Sequence, residues 1–340
     1  MKRAQGRAAP IAVDGERVRL AWDGKGDEAP FRPAGRLVRV SPGSPELRLV
    51  QGDNLAALGA LRTELRAKVM LAYLDPPFFT GRLHEKLTRR RDASGKVLRA
   101  RSPAFDDRWL DLPSYLESLR DRLSILRDLL CREGCVVVHV DPRTSHYVKV
   151  LCDEVFGENA FASEIVWRYR RWPSKTPNFQ RMHDVLLRYV KDPDATPRFV
   201  QLFEPLAAST RSTWGSGRQR AIVGDDGRRT RSSTTDEPSP GAPLGDVWDI
   251  GIIAPVARER TGYPTQKPEA LLERLILACT HPRDLVLDPY AGSATTLAVA
   301  ARLGRRALGI DESPVAIQVG ENRLRALGHD PMRDRCIPAG

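Results

Sequence analysis

The chain has 340 residues, of which 41% are hydrophobic and 29% charged, with a net charge of +11. That balance excludes a disordered or fibrous chain, and no apolar run approaches the roughly 20 residues needed to span a bilayer. Residues 81–104 carry a net +6 and residues 165–188 a net +5, together the whole surplus. Charge gathered in segments suits a polyanion such as nucleic acid, although a solvated basic surface has the same composition.

Residues 1–34 are rich in Gly, Pro, Ala and charge and read as a flexible N-terminal arm. The basic stretch from Met1 to Arg7 has no apolar segment behind it, so no secretory signal is expected. With five scattered cysteines (Cys131, Cys135, Cys152, Cys279 and Cys336), the sequence reads as cytoplasmic, with free thiols. Cys131 and Cys135 lack the second pair that a zinc site needs, and no metal is expected. Residues 69–74 (VMLAYL) form a short apolar run closed by Asp75-Pro76-Pro77, the signature of a strand buried on both faces. Leu116, Leu119, Leu123, Leu126 and Leu130 recur at spacings of three and four after Pro113, predicting an amphipathic helix. Residues 135–140 (CVVVHV) predict another buried strand, 146–155 a helix ending near Gly157, and 185–190 a strand.

Residues 193–245 lose periodicity and gain Ser, Thr, Gly, Pro and Arg, as an inserted loop-rich region does. Pattern resumes with a helix over 268–279, a strand over 284–287, an Ala-rich helix over 293–303, a strand over 306–310 and a helix over 314–327. The last residues, 331–340, read as a tail. Strands alternating with helices predict an α/β fold with a mostly parallel sheet.

In such sheets ligands bind beyond the carboxyl ends of strands. Two strand ends carry chemistry. At one, Asp75-Pro76-Pro77-Phe78 combines a carboxylate, two prolines that stiffen the backbone and withhold N–H groups, and a flat ring. Carbonyls aimed this way, with the Asp75 carboxylate, can accept both protons of a primary amine while Phe78 stacks on a planar ring. At the other, Asp288-Pro289-Tyr290-Ala291-Gly292-Ser293-Ala294 leads into a helix whose N–H groups face a ligand at a glycine. Asp311 ends the next strand, where an acidic side chain holds ribose hydroxyls. No Gly-Lys-Thr follows, so the adenosine-type ligand is not a nucleoside triphosphate. Taken alone, either segment also reads as an ordinary turn.

Together these motifs resemble the S-adenosylmethionine-dependent DNA amino-methyltransferases, in the permuted group called β, where the catalytic tetrapeptide precedes the cofactor segment. Residues 49–58 (LVQGDNLAAL), 134–157, Asp246 to Trp248 and Tyr263-Pro264-Thr265-Gln266-Lys267-Pro268 match that family in order, over roughly residues 47–327. The resemblance implies a Rossmann-like methyltransferase fold, helices on both faces of a twisted sheet, and a circularly permuted motif order. Residues 35–192 become the catalytic part, 193–245 a target-recognition insert and 246–330 the cofactor-binding part of one domain. Asp75, Pro76, Pro77 and Phe78 become the catalytic residues, acting on a base flipped out of double-stranded DNA. Asp288, Tyr290, Gly292, Ser293 and Asp311 become contacts of S-adenosylmethionine, with Thr265 and Lys267 near its methionine end and Asp53 near the pocket. Asp at the first catalytic position resembles the adenine-N6 members; cytosine-N4 members more often carry Ser there. The family usually has Gly where this chain has Ala294.

Residues 81–104 follow the catalytic strand and are expected as a loop at the DNA face, with Arg82, Arg89, Arg90 and Arg91. Arg168, Arg170, Arg171 and Lys175 form a second set, interleaved with aromatics as in single-strand binding surfaces. Trp167 and Tyr169 alternate with the arginines, so they also read as inward-packed strand residues. The resemblance is compatible with a separate restriction endonuclease and with a homodimer. Two rivals stay open at this stage: a methyltransferase of RNA or protein amines, disfavoured by the permuted order, and a silent DNA-binding relative, disfavoured by the intact tetrapeptide.

Overall fold

The computed structural model describes residues 11–14, 17–26, 35–91, 97–173, 175–196, 198–220, 223–228 and 233–339. They fall into two units, Met1–Phe199 with Asp246–Gly340, and Val200–Gly245.

The larger unit is built on a ten-stranded sheet. Its strands are β1 (Gly35–Ser41), β2 (Ser44–Gln51), β3 (Val69–Leu74), β4 (Leu130–Val140), β5 (Phe161–Arg168), β6 (His183–Val190), β7 (Val247–Asp249), β8 (Leu285–Asp288), β9 (Arg306–Asp311) and β10 (Pro331–Pro338). The order across the sheet is β7-β5-β6-β4-β3-β8-β9-β2-β10-β1. Only β6 and β1 pair antiparallel to their neighbours. The helices are α1 (Asn54–Leu65), α2 (Leu112–Leu129), α3 (Ser145–Phe156), α4 (Glu269–Cys279), α5 (Thr295–Arg302) and α6 (Pro314–Ala326).

Every residue of β3 is buried, which is why its sequence is continuously apolar. Side chains alternate between faces along a strand. Ala72 and Leu74 join the core under α1, α2 and α3, with Leu58, Leu116 and Leu151. The opposite face is covered by α4, α5 and α6, which pack on β3, β8 and β2. Local signals set the helix ends. Asp111 caps α2 in a reciprocal capping box with Ser114, and Gly157 closes α3 at φ 94°. From β3 the chain crosses through α2 to β4 on one side; from β8 it crosses through α5 to β9 on the other. The neighbours β3 and β8 therefore flank the switch point, where a crevice opens beyond the strand ends.

Several expectations change. The segment expected as a tail is β10, lodged between β2 and β1. Its Pro- and charge-rich sequence hides this, because the strand's buried charge, Asp334, is neutralised by Arg39 and Arg48 rather than replaced by an apolar residue. The described part of the N-terminal arm is anchored: Leu20 is buried, and its N–H and the Lys25 ammonium both donate to Glu154 of α3, each at 2.6 Å. Residues 1–10, 15–16 and 27–34 of that arm lie outside the described residues. The basic stretch after the catalytic strand is a two-stranded ribbon, Arg82–Arg91 against Val97–Asp107, rather than a loop. Its register sets His84 against Phe105, and the two rings stack at 4.5 Å.

The smaller unit has a helix, Ala208–Trp214, and two short pairings, Phe203–Glu204 with Ala242–Pro243 and Gly217–Arg220 with Ser233–Pro238. It starts at Val200, later than the expected boundary at 193. Arg198 belongs to the larger unit, where it pairs with Glu133 and Asp284.

Candidate active site

The crevice between β3 and β8 holds a cavity of about 340 Å³, within the range of small-ligand sites. All the catalytic and cofactor residues expected from sequence line it. They are Asp75, Pro76, Pro77 and Phe78 from the turn after β3; Asp288, Tyr290, Gly292 and Ser293 from the turn after β8; Asp311 from β9; Thr265 and Lys267 from the segment before α4; and Asp53 from the cap of α1.

Each wall has a local cause. Asp53 caps α1 by accepting from the Ala56 N–H at 2.8 Å. The next residue, Asn54, donates to the Pro289 carbonyl at 2.8 Å and is itself held by Arg122. The turn after the tetrapeptide is clamped by Asp107, which accepts from the N–H groups of Phe79 at 2.8 Å and Thr80 at 2.9 Å. Gly292 has φ 49°, where a side chain is strained, and a methyl group there would come within 3.3 Å of the Tyr263 ring, so glycine is favoured on both counts. Phe79, Thr265 and Ala294 also have positive φ, at 57°, 57° and 55°. Of these Thr265 lines the cavity, and Phe79 and Ala294 each lie between two residues that do.

Ala294, the departure from the resembled family, is the N-cap of α5 in the left-handed region. It is fully buried and is not part of the cavity wall. Its methyl faces Gly320 of α6, whose own added Cβ would lie 2.8 Å from it. The methyl therefore fills the gap between α5 and α6 and does not crowd the cavity.

Two carboxyls, Asp288 buried and Asp311 part-buried, face the glycine loop. Burial pushes Asp288 up to about 7, against the hydrogen bonds it accepts from the Thr296 hydroxyl and the Tyr290 N–H. Burial likewise pushes Asp311 up to about 6, opposed by the N–H groups of Ser313 and Gly292. Each Asp311 oxygen accepts one backbone N–H and keeps a lone pair for a further donor.

Lys267, expected near the methionine end of the cofactor, also reaches the catalytic turn. Its ammonium donates to both oxygens of Asp75, at 2.6 Å to Oδ1, and lies 4.9 Å from the Phe78 ring centre. Behind Asp75 is a polar group not expected from sequence. His139 of β4 is completely buried, with Nδ1 at 2.8 Å from the Tyr73 hydroxyl and Nε2 at 3.3 Å from Asp184. A histidine inside CVVVHV and an aspartate opening DVLLRYV were the available signals: each places a polar group in a strand otherwise built to be buried.

Among the expected DNA-binding residues, Arg82, Arg168, Arg170, Arg171 and Lys175 are exposed. Arg168 makes a two-pronged pair with Asp249. Arg89, Arg90 and Arg91 lie in the ribbon strand, and their side chains are outside the described residues. Trp167 and Tyr169 pack inward, each 3% exposed, whereas Trp172 and Phe179 on the following loop are 89% and 99% exposed.

An open, mostly parallel sheet that sets a carboxylate-Pro-Pro acceptor against a glycine loop and an acidic strand end is the arrangement of a methyltransferase for amino groups. Residues 69–322 match the family model for DNA methylases that act on N6 and N4 amines. The chain belongs to this family. It is 29% identical to the type II methyltransferase M.EcaI of Enterobacter cloacae, over 94% of this chain and 80% of that protein. It is 28% identical to the DNA adenine methyltransferase YhdJ of Escherichia coli K12, over 84% of this chain and 85% of that protein. The structure of a DNA modification methylase of Thermus thermophilus, TTHA0409, complexed with S-adenosyl-L-methionine shares the fold, with TM-score 0.52 and 22% identity over 86% of this chain and 99% of that one.

Proposed function

We propose that the protein is a site-specific DNA methyltransferase that moves a methyl group from S-adenosylmethionine to the N6 amine of a flipped-out adenine. The observation that carries this reading is the meeting of Asp75-Pro76-Pro77-Phe78 and the Gly292 loop in one cavity at the switch point. Asp in the first catalytic position and the adenine-methylating relative named above favour N6 of adenine over N4 of cytosine.

The residues fit the cofactor. A cradle that a Cβ on Gly292 would fill suits close backbone approach, and the Asp311 carboxylate can accept from a ribose diol. When bound, S-adenosylmethionine supplies a methyl group activated by its sulfonium. Asp288, Tyr290, Gly292, Ser293 and Asp311 would hold it, with Thr265 and Asp53 at the cavity edge.

The chain's own groups do the rest. Flipping a base costs a few kcal/mol of stacking and pairing, and the Phe78 face returns part of this by stacking. The Asp75 carboxylate and the Pro76 carbonyl accept the two amine protons and turn the nitrogen lone pair toward the methyl. An aromatic amine is a weak nucleophile because its lone pair is delocalised, so fixed geometry is the main contribution. Lys267 holds Asp75 in one orientation; a carboxylate has about four lone-pair sites, so two remain for the amine. The exposed Arg82, Arg168, Arg170, Arg171 and Lys175, with Arg89, Arg90 and Arg91 of the ribbon, support phosphate contacts along double-stranded DNA. Residues 200–245 are the candidate target-recognition unit. Action in the cytoplasm, pairing as a homodimer and a separate restriction endonuclease partner belong to the same proposal. Light scattering that finds only a 37.9 kDa species with and without DNA would rule out the dimer.

The test is direct. Protein, methyl-labelled S-adenosylmethionine and unmethylated bacterial DNA are incubated, and the DNA is digested to nucleosides and analysed by mass. N6-methyladenine from the wild type and none from Asp75→Asn is the expected result. Asparagine is preferred to alanine because it leaves the buried Lys267 a hydrogen-bond acceptor. Activity of Asp75→Asn within about tenfold of wild type, only about 1.4 kcal/mol, would mean that the amine is held elsewhere.

A further inference from the structure

Methylating a primary amine releases a proton. The nitrogen–methyl bond forms as the methyl–sulfur bond breaks, the electron pair stays on sulfur, and one N–H proton must leave. Its nearest base is the Asp75 carboxylate. That carboxylate sits between Lys267 on one side and His139 on the other, with His139 Nδ1 3.8 Å from its Oδ1. Phe78 lies over the same pair, 5.5 Å from the His139 ring. A base stacked on Phe78 therefore closes the open side of Asp75 at the moment the proton appears.

His139 is equipped to take it. Asp184 has one oxygen facing His139 Nε2, and the other accepts from the Tyr169 hydroxyl at 2.9 Å. A carboxylate only accepts hydrogen bonds, so the neutral imidazole carries its proton on Nε2. Nδ1 then accepts from the Tyr73 hydroxyl, 2.8 Å away. That hydrogen bond occupies the one lone pair of Nδ1, which becomes the free base of the ring only when the Tyr73 hydroxyl turns away; Asp75 Oδ1 lies 3.8 Å from the same nitrogen. The groups around the ring are Asp75 from the turn after β3, Asp184 from β6, and the Tyr73 and Tyr169 oxygens. Lys267 and, through Tyr169, Arg171 supply opposing charge. Burial alone would raise the Asp184 carboxyl, yet its hydrogen bonds with His139 and Tyr169 and the charge of Lys267 hold it below the usual carboxylate range. The Trp167 ring, 5.5 Å from His139, walls the group off from water.

We propose that the His139–Asp184 pair is a buried proton store: Asp75 takes the proton from the methylated amine and passes it to His139 Nδ1. The Tyr73 hydroxyl turns to accept from the new N–H, and the imidazolium rests between Asp75 and Asp184. Departure of the methylated base reopens Asp75 to water, and the proton leaves by the same path. His139 acts through Asp75 and is a positioning residue, not a catalytic one. This inference rests on the amine-methylation reading, which the nucleoside analysis tests separately. Absence of any methylated base sinks that reading; the timing below concerns only the proton.

The experiment is a single turnover in weak buffer. Methyl transfer is followed by rapid quench and bulk proton release by a pH indicator in stopped flow. In the wild type, proton release should lag behind methyl transfer and coincide with release of the DNA. In His139→Gln and Asp184→Asn, shown by thermal melting and cofactor calorimetry to be folded, the lag should vanish. Wild-type protons appearing in step with methyl transfer would overturn the proposal, even if neither variant folds. So would a lag that persists in both variants, because Asp75 alone would then be the store.

Discussion

The packing of Ala294 against Gly320 can be tested by adding and removing single methyl groups. In Gly320→Ala the new Cβ would lie 2.8 Å from the Ala294 Cβ and 3.7 Å from both Leu49 methyls. Alanine in a helix interior normally gains about 0.5–1 kcal/mol over glycine, whereas overpacking a fixed site costs about 1–3 kcal/mol. Ala294 cannot yield easily: its N–H is bonded to Ala291, its carbonyl starts α5, and its φ of 55° is already strained. The net expectation for Gly320→Ala is a loss of about 1 kcal/mol. Ala294→Gly relieves left-handed strain of about 1–2 kcal/mol and removes one buried methyl worth about 0.8 kcal/mol, so it should be near neutral. In the double variant the methyl introduced at position 320 occupies the space vacated at 294, and the loss should disappear, giving a favourable coupling of about 1–2 kcal/mol. Urea unfolding of the four proteins measures the cycle. Calorimetric titration of S-adenosylmethionine should show Ala294→Gly unchanged within about twofold, since a factor of two is only about 0.4 kcal/mol. Additivity within about 0.5 kcal/mol would refute the contact, and a large affinity gain in Ala294→Gly would mean the methyl does reach the cavity.

Cofactor affinity should fall as pH drops through about 6, where Asp311 takes up the proton that its burial favours and loses a ribose acceptor. Calorimetry between pH 5 and 8 reads this, and Asp311→Asn should flatten the profile. Stability runs the other way for Asp288 and Asp311. Both bind a proton in the folded state at a pH where the unfolded chain has lost it, so their contribution falls as pH rises from about 4 toward 7; thermal melts of the apoprotein should show Asp288→Asn reducing that slope. Truncation after Asp330 removes β10 from between β2 and β1 and takes Asp334 from Arg48, which keeps only Glu64, so melting should shift sharply down. Arg168 is already paired with Asp249, so Arg168→Ala should change the salt dependence of DNA binding less than Arg170→Ala, for which a slope change near 0.9 is expected in filter-binding titrations.

Much of this molecule is legible from sequence because its physics is local. VMLAYL is apolar throughout because β3 is buried on both faces, and Asp75-Pro76-Pro77-Phe78 ends it where a crevice must open. The start of α2 follows from Pro113 in its first turn and the end of α3 from Gly157. What escaped depends on partners far along the chain. Pro331–Pro338 lacks any apolar run, and only Arg39 and Arg48 make its Asp334 tolerable inside a sheet. The 82–107 ribbon is a pairing of two charged strands with no hydrophobic alternation to announce it. His139 and Asp184 are 45 residues apart, and neither alone indicates that they meet behind Asp75. Residues 193–199 share the composition of the insert, yet Arg198 finds Glu133 and Asp284 in the sheet unit.

The Lys267–Asp75 pair explains how two distant stretches of chain build one site. Asp75 and Lys267 are 192 residues apart, one beside each half of the permuted domain. Burying both charges costs desolvation that their attraction only about repays, so the pair adds little to stability. What it fixes is orientation. An unpaired carboxylate at the mouth of a crevice would sample several rotamers and hydrate freely. Bound at both oxygens, with Phe78 beside the ammonium, it presents its remaining lone pairs in one direction. The same ammonium lies in the segment that ends with the start of α4, so a shift of that segment moves the amine acceptor with it. Lys267→Met should therefore lower the rate of methyl transfer much more than it lowers cofactor affinity, whereas a lysine that mainly held the methionine carboxylate would lower affinity first. Single-turnover rates and calorimetry on the same preparation separate the two, and a variant weakened in affinity alone would refute the orienting role.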